Sequence, residues 1–313
     1  MMRFLRLFCA ITLLFVVSAQ AQTALPVTIG AGERGGNYYS VGGAICRIVN
    51  QNSPYGCAVR PTGGSIDNLY ALSLGDVNFA IIQADVQRAA RRGIAGIPGN
   101  YSALRSVASV YPQTLTVVVR ADSDIGRFVD LRGRRIAAGT IVSGAHWTFM
   151  SLWNALGLSI HDLSSLVVQR DGTSADALCS GRLDAVVMMT GHPSISLSRM
   201  GRTCPIKIVA LSVTEVAAIT RNNPDYRPIA VPPGVYPFVR APVPTVATDA
   251  TLVTISSVPD QYVEAVLTAI LSDRRSFRQQ QKVLGPVPSS HIEGALQYHR
   301  AAARFYRAYG LIR

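Results

Sequence analysis

Residues 30 to 39 read Gly30-Ala31-Gly32-Glu33-Arg34-Gly35-Gly36-Asn37-Tyr38-Tyr39, and their chemistry is that of an anion cradle. Glycine lets a backbone approach a guest closely. Where such a loop opens a helix, unpaired N–H groups and the positive end of the dipole favour negative charge. Thr140-Ile141-Val142-Ser143-Gly144 repeats the device and adds hydroxyls. Arg34, Gly35, Gly36, Asn37, Tyr38 and Tyr39 are therefore candidates for carboxylate binding from the first loop, and Thr140, Ser143 and Gly144 from the second. Arg34 either forks onto a carboxylate or is solvated. Ser65, after Gly63-Gly64, offers a hydroxyl to a ligand or to its own helix as an N-cap. Gln83 and Asp85 follow an apolar run; Asp85 either holds an amino group or caps the next helix. Tyr111 faces the cleft or packs. Thr190 and Gly191 end a second apolar run in the equivalent place, and His192 before Pro193 reads as structural.

Catalysis finds little support. G-x-S-x-G around Ser143 needs glycine at 141, where isoleucine stands. The five histidines, 146, 161, 192, 291 and 299, form no H-E-x-x-H spacing. No carboxylate pair lies in the glycine loops. The chain reads as a binding protein that needs no metal and no cofactor.

The elements that position these residues follow from apolar spacing. Val27 to Ile29 suits a buried strand. Val41, Ile45, Ile48 and Val49 mark one face of a helix after the first glycine loop. Cys57 to Arg60 is a strand, Ile66 to Leu74 a helix stopped by Gly75, and Val77 to Ile82 a buried strand. Ile94 to Asn100 is a loop, and Val107 to Val110 and Thr114 to Arg120 are strands joined at Tyr111-Pro112. From Arg135 the order repeats: strand 136–139, loop, helix 145–156, strand 166–168, helix opening at Asp171 and ending at Gly181, strand 183–188. Further on come a strand at 206–211, a helix at 213–219, an irregular proline-rich stretch at 224–244 and a β-rich stretch at 245–256. A helix begins at Pro259, and Glu293 to Tyr309 forms the last, with Leu296, Ala303 and Tyr306 inward. Two similar α/β lobes result, each aiming helix amino termini at the carboxyl edge of a sheet, where ligands of open α/β sheets bind. Leu115–Arg120 and Val246–Ile255 cross between them. The expected division is 22–118 with 250–313 for the first lobe and 119–249 for the second, joined by hinge strands around a ligand cleft.

Residues 1–21 carry Arg3 and Arg6, an apolar run from Leu7 to Val17, and Ala19-Gln20-Ala21. That order predicts a signal peptide cleaved after Ala21, and hence a periplasmic protein. Four cysteines remain, Cys46, Cys57, Cys179 and Cys204. An oxidising compartment suggests bridges, and of three pairings proximity favours Cys46–Cys57 and Cys179–Cys204. The net charge is +12 over 313 residues, carried by scattered arginines. Nucleic acid is not an expected partner, and a positive field attracts small anions.

Ile29-Gly30-x-Gly32-x-x-Gly35-Gly36-x-Tyr38-Tyr39, Gly63-Gly64-Ser65-x-x-Asn68, Asp130-Leu131-x-Gly133-x-Arg135-Ile136, Leu178-Cys179-x-Gly181-x-x-Asp184-Ala185, Gly191-His192-Pro193 and Pro233-Gly234-x-Tyr236-Pro237 occur in that order. Together they resemble the TAXI-type solute-binding proteins of TRAP transporters over nearly the whole chain after residue 21. Two ligand loops depart from the family pattern: Glu33-Arg34 stands where small residues are usual, and Ser143-Gly144-Ala145 replaces Ser-Gly-Thr, followed by His146 and Trp147. The resemblance implies a periplasmic-binding-protein fold of type II-like architecture. It also implies capture of a small organic anion, an amino acid such as glutamate or another carboxylate, for a TRAP membrane permease. A monomer is expected. The alternatives are a periplasmic sensor signalling to a membrane kinase and, behind it, a hydrolase or transferase.

Overall fold

The computed structural model describes residues 26–94, 97, 99–168, 171–221, 223–272 and 297–312. The expected signal peptide, part of the 94–100 loop and Leu296 lie outside the described residues. Strand β1 (Val27–Ala31), helix α1 (Asn37–Asn52), β2 (Cys57–Pro61), α2 (Ser65–Ser73) and β3 (Phe79–Gln83) make the first unit. β1 lies between β2 and β3, parallel to both. α3 (Ala84–Arg91) and the long β4 (Leu104–Arg120) follow. The second unit repeats the first: β5 (Arg135–Ala137), α4 (Gly144–Ala155), β6 (Ser165–Val167), α5 (Asp171–Cys179) and β7 (Ala185–Thr190), with β5 between β6 and β7 and parallel to both.

The chain continues through α6 (Ile195–Thr203), β8 (Ile206–Val209), α7 (Val213–Arg221), β9 (Arg227–Val231), β10 (Val243–Ile255), α8 (Asp260–Ser272) and α9 (Arg300–Ala308). Among the described residues one sheet runs in the order β2-β1-β3-β10-β4-β7-β5-β6, with β8 also on β4 and β9 on β10. This is an α/β periplasmic-binding-protein fold, with two lobes joined by β4 and β10. Helices cover both faces of each half of the sheet. The buried residues of one pair of apolar cores come from 27–111 and 250–306, with Val142 and Trp147 packed against it from the other lobe; those of the second pair come from 115–246. The change of core falls between Tyr111 and Leu115 on β4 and between Val246 and Ala250 on β10.

Three expectations need correction. The two strands split at Tyr111-Pro112 are one strand of 17 residues. Pro112 of β4 stands opposite Asp249 of β10 within the continuous ladder, and the register shifts just beyond, between Ala250 and Thr251. The stretch read as irregular holds β9, whose alternating side chains and Pro228 suit the edge position it occupies beside β10. The last helix starts at Arg300 rather than before it, because Gln297 O and His299 N exchange hydrogen bonds with Ser106 of β4 and so hold that segment extended.

Both proximal disulfides are present, Cys46–Cys57 from α1 to β2 and Cys179–Cys204 from the end of α5 to the end of α6. They close stretches separated by 11 and 25 positions. Reduction is expected to cost about 3 kcal/mol of unfolding free energy for each loop, in the chain-entropy account. Urea titration with and without reductant measures it. Among the described residues no helix is long and apolar enough to cross a membrane.

Candidate functional site

The amino terminus of α1 is the barest in the first lobe. Its cap is Gly36, with an extended backbone and no side chain bonded to the helix, and no acidic residue occupies the first turn. The first N–H groups of a helix have no acceptor within it, so Asn37 and its neighbours present donors. Across the cleft α4 begins at Gly144. Its cap Ser143 takes the N–H of His146 at 3.1 Å and donates its hydroxyl to Thr140 O at 2.7 Å. The carboxyl ends of β3 and β7 deliver Gln83 and Thr190 to the same place.

These groups surround one cavity of about 180 Å³. Arg34, Gly35, Gly36, Asn37 and Tyr38 line it from the first glycine loop, with Ser65, Gln83 and Tyr111 from the rest of that lobe. Thr140, Ser143, Gly144 and Thr190 line it from the second. Burial raises the pKa of both Tyr38 and Tyr111, so each hydroxyl keeps its proton. Tyr38 Oη accepts from Gln113 Nε2 at 2.8 Å and lies 3.4 Å from Ser65 Oγ. Ser65 is not an N-cap: Gly64 holds that position, and Ser65 Oγ accepts from Gln83 N at 3.2 Å instead. Tyr111 Oη is buried without a protein partner.

The lobes touch around this cavity. Asn37 Nδ2 donates to Thr190 Oγ1 at 3.2 Å and Gly191 O at 3.0 Å. Ile66 and Asp67 at the start of α2 donate to Val142 O at 3.1 and 3.3 Å. That contact uses α2's amino terminus, while the starts of α1 and α4, and Ser194 and Ser196 at the start of α6, border the cavity. Gly64, at φ +118°, is a position that only glycine adopts at ease, and a Cβ there would sit 3.1 Å from Ser143 Cα. A Cβ on Gly144 would lie 2.7 Å from Ser65 Oγ and closer still to Gln83 Oε1. Arg88 Nε reaches both carboxylate oxygens of Asp225 at 2.7 Å. The arrangement is a closed one.

Three expected site residues stand outside the cavity wall. Asp85 lies behind Gln83 and is 5% exposed. Its carboxylate accepts from Thr148 Oγ1 and Tyr226 Oη, both at 2.6 Å, from Gln83 Nε2 at 3.2 Å and from Val86 N at 2.9 Å. It is a fastener between lobes, and the helix cap assigned to it belongs to Gln83. Burial raises its pKa against the pull of those donors. Tyr39 turns outward, where its hydroxyl accepts from Arg34 Nη1 at 3.0 Å and its ring lies 5.5 Å from that guanidinium. Gly191 meets Asn37 through its carbonyl and gives no surface to the cavity.

His192 is structural. Its Nε2 lies 2.7 Å from Thr114 Oγ1, its Nδ1 lies 2.8 Å from Tyr236 Oη, and burial lowers its pKa to about 4. Sequence reasoning missed Gln113, Met188, Met189 and Arg199, all of which line the cavity. Gln113 has a detectable signal, an amide inside an apolar strand. Arg199 has none, because it is one arginine among many on a helix surface.

A profile of the NMT1-like family matches residues 29–310. The chain belongs to the NMT1-like family. Solved structures similar to this NMT1-like chain share its fold at low identity. MatC from Rhodopseudomonas palustris with bound malate is 14% identical, with 92% of this chain and 99% of that chain covered and a TM-score of 0.59. The alkanesulfonate-binding protein SsuA from Xanthomonas axonopodis pv. citri bound to MOPS is 15% identical, with 92% and 94% covered and a TM-score of 0.53. The GluR0 ligand-binding core from Nostoc punctiforme in complex with (L)-glutamate is 13% identical, with 82% and 97% covered and a TM-score of 0.51.

Proposed function

We propose that this protein is an exported solute-binding receptor that closes over a small organic anion and delivers it to a membrane permease of the TRAP type. The observation that carries the reading is the pair of helix amino termini, α1 with no side-chain cap and α4, facing one cavity from opposite lobes. Main-chain N–H groups, the hydroxyl of Ser65 and the guanidinium of Arg34 meet a carboxylate there. The lobes are 22–118 with 250–313 and 119–249, residues 1–21 are removed after Ala21 in the periplasm, and the receptor works as a monomer. The cleft binds without reacting. Its wall holds hydroxyls and amides, with no histidine among the described lining residues, and the Ser143 hydroxyl is committed to Thr140 O.

Melting temperature measured against a panel of organic acids tests this. A ligand that binds the folded state alone at 100 times its dissociation constant adds about 2.7 kcal/mol of stability. For a chain of this size that raises the melting temperature by several degrees, at roughly 2–4 °C per kcal/mol. No shift with any acid, together with turnover of an ester substrate, would replace the receptor with an enzyme.

A further inference from the structure

We infer that the cleft selects acids that carry no ammonium group, preferring an oxo-, hydroxy- or dicarboxylic acid to the amino acid of the same skeleton. This rests on the carboxylate-receptor reading above and narrows it.

An ammonium removed from water needs an acceptor, best a carboxylate. Among the described lining residues the cavity has one carboxylate, and it is not without a partner. Asp85 is the carboxylate at the end of β3, where an amino group would be met. It faces away behind Gln83, and four donors already occupy it. Glu33 is the one carboxylate among the described lining residues. It is half-buried in the first glycine loop beside Arg34, and it carries an interaction of its own.

What the wall does offer is donors. The N–H groups at the start of α1 are joined by two guanidinium-bearing residues, Arg34 and Arg199, one from each lobe. Arg199 makes no ion pair among the described residues, and like charge opposes an ammonium placed near it.

Tyr111 supplies the independent observation. It lines the cavity, is 1% exposed, and its hydroxyl has no protein partner. Buried polar atoms are nearly always paired, and this one belongs to a residue of the cavity wall, where a guest can pair it. A tyrosine hydroxyl that keeps its proton donates to the oxo or hydroxyl oxygen that stands where an amino acid carries its ammonium. An ammonium brings no acceptor for that proton.

Calorimetric titration of the full exported chain with matched pairs tests the inference: 2-oxoglutarate against L-glutamate, malate against L-aspartate, and pyruvate against L-alanine. In the pair that binds, the amino acid is expected to be at least about tenfold weaker. Tyr111→Phe is expected to weaken the preferred acid about tenfold while leaving the melting temperature of the free protein level or higher, since an unpaired hydroxyl is removed. An amino acid that binds as tightly as its partner or more tightly overturns the inference and leaves the receptor standing. An unchanged affinity in Tyr111→Phe removes the role given to that hydroxyl and overturns the inference with it. Failure of every acid, amino or not, overturns the receptor and the inference together.

Discussion

Gly144→Val is expected to weaken ligand binding about 10- to 100-fold while changing the melting temperature of the free protein little. The new side chain would start within 2.7 Å of Ser65 Oγ and closer to Gln83 Oε1, both on the opposite lobe. Overfilling a packed contact costs about 1–3 kcal/mol, and 1.4 kcal/mol is a factor of ten in affinity. The free protein escapes that cost by letting the lobes part. A liganded protein cannot, because its guest needs both walls. Titration calorimetry gives the affinity, and small-angle scattering should show a larger radius of gyration for the variant. An unchanged affinity would mean that α4 and β3 need not meet for capture.

Asp85→Ala is expected to cost about 3–5 kcal/mol, the range for breaking a buried, hydrogen-bonded charge network. The melting temperature should fall by roughly 10 °C in a chain of this length. The alanine leaves the hydroxyls of Thr148 and Tyr226 and the amide of Gln83 without the acceptor they share. Two of those donors belong to the second lobe, so closure weakens along with stability. Burial raises the pKa of Asp85 above its ordinary carboxylate value. Its contribution is therefore fully present below that ordinary value and is lost as pH rises through the raised one. As pH falls through the raised value the wild type should gain stability, and Asp85→Asn should flatten that slope.

Asp184 moves the other way. Its hydrogen bonds from Arg135 hold its pKa below the ordinary value, so its contribution is present above that value and is lost only in stronger acid. The two slopes occupy separate pH ranges. Denaturant titrations across the range separate them.

The fold was largely legible because its signals are local. Glycine loops before amphipathic stretches mark the strand-to-helix turns, and their recurrence from Arg135 onward gave the second unit. The disulfides followed from proximity along the chain. The site was legible as far as the loops themselves: Asn37, Ser143 and Gly144 sit at helix starts that the residues announce. What failed was direction. Nothing near Asp85 says that its carboxylate turns toward Tyr226, which is 141 positions away. Tyr39 follows Tyr38 and looked equivalent to it, yet successive helical positions diverge by about 100°, so one lines the cleft and the other stacks on Arg34. β9 was hidden by Pro228 and the prolines around the strand, because edge strands tolerate what central strands refuse. Arg199 became visible only when α6 was folded against the cleft.

β10 lies between β3 and β4 in the sheet. The half that contains the N-terminal glycine loop is thus missing its middle until residues 243–255 have been made. The inserted half draws its core from residues 115–246 and is complete earlier. As an exported chain emerges, the later-starting half is expected to become able to fold first, while residues 27–111 wait with an apolar flank of β3 uncovered. Such long-range closure is slow, and a waiting edge of this kind is what holding chaperones recognise.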